Sequence, residues 1–137
     1  MILKTNTRMF TTDLESSVAT LVAVHGTEPH LRLNYDPLTL VGIGDVLVIG
    51  GPDEALAPIR GTFGPWIVED IDDAKARLLA KGASVLSDIH AIPTGRMMYL
   101  KHADGSVVEY VEWAPELVER HILAPLRAGE PASQIEP

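Results

Sequence analysis

The sequence predicts an α+β fold built from two tandem βαβββ modules, residues 1–51 and 61–113, joined by a linker at 52–60 and followed by a C-terminal segment at 114–137, all within one structural domain. Three observations predict it. Two short amphipathic segments each open on an Asp and close on a Gly, Asp13 to Gly26 and Asp70 to Gly82, as helices with an N-cap and a C-terminal stop do. Their Asp residues lie 57 positions apart (70 − 13), and the same offset carries Leu21 onto Leu78 and Val22 onto Leu79. Each helix is preceded by one strand-like run and followed by three, so a duplicated unit explains the order.

In chain order, residues 2–12 read as a first strand, with Ile2, Leu3, Met9 and Phe10 among β-tolerant neighbours. Leu14, Val18, Leu21, Val22 and His25 then fall on one helical stripe. Leu31, Leu33 and Tyr35 alternate with polar residues, Asp36-Pro37 turns the chain, and runs at 38–43 and 46–49 complete a meander. A single helical turn is expected at 53–56 within the linker. Residues 62–68 form the next strand, where Pro65 implies an edge or a bulge. Ile71, Ala74, Leu78 and Leu79 make the stripe of the second helix. Strands follow at 84–86 and 97–101, with a loop from Ile89 to Gly95 between them. Asp104-Gly105 is a tight primed turn into a last strand ending at Trp113. Pro115 starts a short helix over 116–122, and the Pro-, Gly- and acid-rich 128–137 reads as disordered.

Composition narrows the chemistry. The chain has no Cys, which removes disulfides, thiolate metal sites and cysteine nucleophiles. Eleven Lys and Arg against nineteen Asp and Glu give a net charge of −8, which disfavours nucleic acid and anionic membranes. No signal-peptide core and no apolar run near the ~20 residues that span a bilayer are present, so a soluble, cytoplasmic protein is expected. No Walker, G-x-G-x-x-G or G-x-S-x-G pattern occurs.

One carboxylate stands out. Side chains alternate along the last strand, so Glu109 shares a face with Val107, Val111 and Trp113. A carboxylate among apolar groups needs a hydrogen bond, a cation, a metal or a wet cavity. Arg96, beside Gly95 on the neighbouring strand, is a candidate partner for Glu109 or for an anionic ligand. His90 is read as a loop residue positioned to touch a substrate, and His102 as a hairpin-end residue.

The two βαβββ units, the helix from Val68 to Ala83 and the closing run Asp104 to Tyr110, with Pro93 to Arg96 before it, resemble the vicinal oxygen chelate superfamily of glyoxalases, dioxygenases and bleomycin-resistance proteins. The resemblance covers residues 1–113 and implies mixed, curled sheets with helices outside and a small organic molecule bound in a barrel cavity, in the second half. It implies that Phe63, Trp66, Met98 and Trp113 are cavity-lining candidates beside Arg96 and His90, that Glu109 stands at a metal-ligand position, and that the chain forms a homodimer. The usual His positions fall on Asn6 and Phe63, and another falls among Leu47, Val48 and Ile49. The reading is therefore a glyoxalase-like protein that binds its ligand without the usual metal and uses Glu109 as polar anchor or catalytic acid/base. The alternative is a lyase, isomerase or dioxygenase of the superfamily holding a divalent Zn, Ni, Fe or Mn ion through Glu109 with His102 or His90. A non-catalytic interaction protein, docking through 116–126, ranks third.

Overall fold

Asp13 and Asp70 do cap the two long helices in the computed structural model, which describes residues 1–128. The Asp13 carboxylate accepts from the Ser16 N–H, and Asp70 from the Asp73 N–H at 3.1 Å. They open α1 (Leu14–His25) and α3 (Ile71–Ala80), with a one-turn helix α2 (Asp53–Leu56) in the linker. Gly26 ends α1 at φ 79°, a left-handed conformation that glycine adopts without steric cost.

The strands are β1 (Ile2–Thr5), β2 (Thr7–Thr11), β3 (Leu31–Tyr35), β4 (Leu38–Ile43), β5 (Val46–Gly50), β6 (Phe63–Val68), β7 (Ser84–Ile92), β8 (Gly95–Lys101) and β9 (Val107–Trp113). A four-stranded sheet runs β2-β5-β4-β3 and a five-stranded sheet β1-β6-β9-β8-β7. In both, the strand before the helix pairs parallel with the last strand of its module, and the rest are antiparallel. The duplicated architecture is thus the one expected.

Two segments depart from the sequence reading. The single first strand is two, broken at Asn6: β2 stays with the first module, while β1 crosses to pair antiparallel with β6 of the second. The crossing covers the edge that β6 would otherwise leave open. Residues 89–92, read as a loop, continue β7 in register with β8 up to Ile92 opposite Gly95. β7 is an edge strand with mostly exposed side chains and two register shifts, so it lacks the clean alternation that marks a half-buried strand. The turn expected at 53–56 is present.

Each helix covers the outer face of its sheet. Val18 of α1 packs with Val41, Ile43 and Val48. Ile71 of α3 packs with Met98, Leu100, Val108 and Tyr110, all of them buried. Leu79, assigned to the stripe of this helix, is instead 43% exposed. The inner faces look toward each other, one carrying Leu47 and Ile49 and the other Ile67 and Val111.

After β9 the described residues from Pro115 to Arg127 are helical: α4 (Pro115–Val118), a π-helical turn (Glu119–Leu123) and α5 (Ala124–Arg127). Ile122 packs this segment onto the inner-face cluster of Ile67 and Val111. The wide turn has a local cause. Pro125 has no N–H to give to the His121 carbonyl and its ring crowds that oxygen, and the Ala124 N–H reaches back five residues to the Glu119 carbonyl instead. The disorder expected from 128 onward falls, beyond residue 128, outside the described residues. Among the described residues no helix is long and apolar enough to cross a membrane.

Met98 is fully buried in the outer core, so Met98→Ala removes packed methylenes and leaves a cavity there. Urea unfolding should show a loss of roughly 2–5 kcal/mol.

Candidate functional site

The inner faces do not meet completely; a cavity of about 390 Å³ lies between them, drawn from both modules and not from the second alone. The four-stranded sheet contributes Leu31, Leu33, Leu38, Leu40, Leu47 and Ile49, an aliphatic surface. Arg8, on β2 at the edge of the same sheet, is its charged member, and the facing wall and rim add Lys4, Asn6, Tyr99, Glu109 and Trp113 beside Met97 and Val111.

Glu109 is anchored by a residue 101 positions away. Arg8 Nη2 donates to Glu109 Oε1 at 2.8 Å, and the two side chains are only 4% and 16% exposed. Arg8 also donates from Nε to the Gly64 carbonyl at 3.1 Å and from Nη1 to Thr62 Oγ1 at 2.6 Å, and its guanidinium lies 5.6 Å from the Tyr99 ring centroid. Asn6 Nδ2 donates to the Pro65 carbonyl at 2.8 Å. The carbonyls that hold Arg8 and Asn6 come from a bulge in β6, where the register shifts between Phe63 and Trp66. Gly64 sits there at φ 122°, and a Cβ would lie 2.6 Å from the Glu109 carbonyl oxygen, so only glycine lets the two strands approach this closely. Of the two roles expected for Pro65, β6 takes the bulge: it runs between β1 and β9 and is not an edge.

Burial dominates the protonation of this group. It lifts the Glu109 carboxyl above the ordinary carboxylate value, against the downward pull of Arg8 and a lesser one from His90. The Tyr99 phenol is also raised, first by burial and then by the nearby Glu109 charge. The cavity thus offers a carboxyl whose proton affinity burial raises, a phenol and a fixed guanidinium.

Of the residues singled out from sequence, Glu109 and Trp113 line this cavity. The others stand elsewhere. Met98 and Trp66 belong to the outer core, where Trp66 packs edge-on against Tyr110 at 5.8 Å. Arg96 is opposite Glu112 and bonds it at 3.0 Å, with Asp72 at 3.1 Å, so its partner is not Glu109. His102 Nε2 lies 2.7 Å from the Tyr110 hydroxyl, on the outer face. Phe63 is 51% exposed. His90 is on β7, not a loop; it is opposite Met97 and exposed, its Nδ1 2.8 Å from the Asp88 carbonyl.

One register error accounts for Met98 and Arg96. A two-residue turn at Asp104-Gly105 would put Met98 opposite Val111 and Arg96 opposite Trp113, on the Glu109 face. The hairpin instead closes with the His102 N–H donating to the Ser106 carbonyl at 2.8 Å and the Gly105 N–H to the His102 carbonyl at 2.9 Å, a three-residue loop with Gly105 at φ 95°. The pairing shifts by one, and Met98 faces Tyr110.

An uncharacterized protein from Methanosarcina mazei is 33% identical to this chain, with a TM-score of 0.79 over 83% of this chain and 94% of its own. The chain belongs to that protein's family. Methylmalonyl-CoA epimerase from Mycobacterium tuberculosis superposes with a TM-score of 0.65 at 18% identity, over 85% of this chain and 92% of the other. A Streptomyces coelicolor methylmalonyl-CoA epimerase in complex with 2-nitronate-propionyl-CoA gives 0.64 at 19% identity, over 84% and 97%. These epimerases belong to the vicinal oxygen chelate superfamily, and the fold of this chain is that superfamily's. No protein-family profile and no curated protein matches the chain.

The residues around Glu109 do not fit the superfamily's divalent ion. Among the described residues no three His, Asp or Glu side chains gather as a ligand set. Glu109 is engaged by a guanidinium, Asn6 by the Pro65 carbonyl, and His102 lies on the opposite face of the sheet. A positive group does stand beside the carboxylate, and it is Arg8.

Removing that group strands a buried charge. A carboxyl whose folded pKa is raised contributes stability fully present below its unfolded pKa and lost as pH rises through the folded value. Arg8→Met raises Glu109 further, so the variant should lose about 3 kcal/mol at pH 8 and distinctly less at pH 5. Carboxyl carbon titration by NMR should place Glu109 above the ordinary value in the parent and higher still in the variant.

Proposed function

We propose that this protein binds a small organic molecule between its two sheets, with its apolar body against the leucine wall and a hydroxyl or carbonyl directed at Glu109 and Tyr99. The observation that carries this reading is the Arg8–Glu109 pair, buried where the two sheets meet at one side of a cavity otherwise lined largely by aliphatic side chains. Pockets of this kind, mostly apolar with a few convergent polar groups, are the usual form of small-molecule sites. Arg8 supplies the positive charge that a metal supplies elsewhere in the superfamily, held by three hydrogen bonds in one orientation.

The same geometry supports proton transfer as a second role. Burial raises the Glu109 carboxyl above the ordinary carboxylate value, and it lies near the Tyr99 phenol, an arrangement that suits a general acid or base. On this reading the chemistry is isomerisation or lyase chemistry at a carbon beside a carbonyl, with Glu109 moving the proton and Arg8 fixing its carboxylate. The metal-dependent alternative, in line at the superfamily level with the epimerase neighbours, would need Arg8 displaced and further ligands recruited.

Fragment screening by methyl NMR should give saturable shifts at Leu33, Leu40 and Leu47. Leu40→Trp fills the cavity and should abolish them while the protein stays folded. Hits that bind this variant as well as the parent would place binding outside the cavity and refute the reading.

A further inference from the structure

The cavity has a second pole. At the end away from Glu109 it is lined by Lys4, His30, His121, Leu117 and Trp113. Trp113 is four residues beyond Glu109 on β9, so along a strand the two poles are about 13 Å apart. Across the four-stranded sheet Gly42 of β4 is two strands from Arg8 on β2 by way of Leu47, and His30, beside Gly42 at the entrance to β3, is three strands away. At ~4.8 Å per strand this again separates the poles by roughly 14 Å.

This end is built to carry imidazoles. His30 Nδ1 is 3.2 Å from the Gly42 carbonyl, which fixes the ring with Nδ1–H as donor and leaves Nε2 unengaged among the described residues. Gly42 makes the room, since a Cβ there would lie 2.8 Å from His30 Cε1. His121 comes from the π-helical turn and stands edge-on between His30 at 6.1 Å and Trp113 at 5.8 Å. Among the described residues it has no hydrogen-bond partner.

The charge balance is one-sided. The cavity lining holds Lys4, Arg8, His30 and His121 against a single carboxylate, Glu109, which Arg8 already pairs. Asp45 pairs with Lys4 but is 75% exposed and lies outside the lining. In a chain of net charge −8, a cavity with this surplus of basic groups selects against its own surroundings and toward anions.

We propose that the ligand is an elongated anion, its carboxylate or comparable oxyanion seated among Lys4, His30 and His121 and its apolar body laid along the leucine wall toward Glu109. This rests on the cavity-binding reading above and names the substrate class it takes. A carboxylate there accepts from His30 Nε2, from His121 and from Lys4, each bond charge-assisted once the rings are protonated. The groups facing His121 are Lys4 on β1 with its partner Asp45 at the β4–β5 turn, His30 before β3, and Arg120 on its own turn. Burial, His30, Arg120 and Lys4 all hold His121 below the ordinary imidazole value. An anion reverses that balance, so binding draws a proton onto the ring and tightens as pH falls from 8 toward 6.

Octanoate and octan-1-ol, which share one apolar body, test this on the full chain by titration calorimetry and methyl NMR. At pH 6 octanoate should bind at least about tenfold tighter than the alcohol. The preference should shrink at pH 8, and proton uptake should appear as a buffer-dependent heat. In His30→Gln/His121→Gln the preference should vanish while octan-1-ol still shifts the Leu33 and Leu40 methyls, which shows the variant folded. Equal affinities in the parent, or a preference that survives the double substitution, would overturn the anion site and leave the cavity-binding reading standing. Absence of any Leu33 or Leu40 shift with either probe at millimolar concentration would overturn both.

Discussion

The arrangement depends on one ion pair that joins the two sheets. Arg8 belongs to β2 of the four-stranded sheet and Glu109 to β9 of the five-stranded one, and their contact bridges the seam between modules. Two further donors of Arg8 brace the pair from beside it, reaching the Gly64 carbonyl in the β6 bulge and the Thr62 hydroxyl just before that strand. An isolated carboxylate here would be expensive, and a buried pair lacking these extra bonds gains little over an apolar one. The bulge, the glycine at φ 122° and the break at Asn6 all serve that one contact.

From the pair follows a division of labour between faces. Helices take the outer faces and make ordinary apolar cores, so Met98, Leu100 and Val108 stabilise the fold and touch no ligand. The inner faces are left incompletely packed, mostly aliphatic around the Arg8–Glu109 pair and Tyr99, with the C-terminal segment bringing Leu117 and His121 to the rim. A duplicated sheet unit thus yields one shared cavity, whose chemistry is set by a handful of inward side chains and not by the architecture.

Much of the fold was legible. The Asp caps, the Gly stops and the 57-residue offset marked both helices, and period-two alternation placed Glu109 on its face. What stayed hidden was pairing over long separations. Arg8 is 101 residues from Glu109, and His30 is 91 from His121 (121 − 30). The signal for Arg8 was there in kind, a cation on the same strand face as Phe10, but nothing local says which strand lies beside which. The β1–β2 break had only a weak local signal, the poor strand propensity of Asn6, and its partner, the Pro65 carbonyl, lies far along the chain. The sides taken by Met98 and Arg96 turned on one residue of hairpin register, which Asp104-Gly105 alone leaves open between a two- and a three-residue loop.

The central claim is that Arg8, and not a metal, is the cationic partner of Glu109. Anomalous diffraction from crystals equilibrated with zinc, nickel, iron and manganese in turn tests it most directly. The account predicts no anomalous peak within bonding distance of Glu109 and a guanidinium that stays hydrogen-bonded to it. A peak about 2.0–2.2 Å from Glu109 Oε1 or Oε2, with Arg8 swung away, would contradict it.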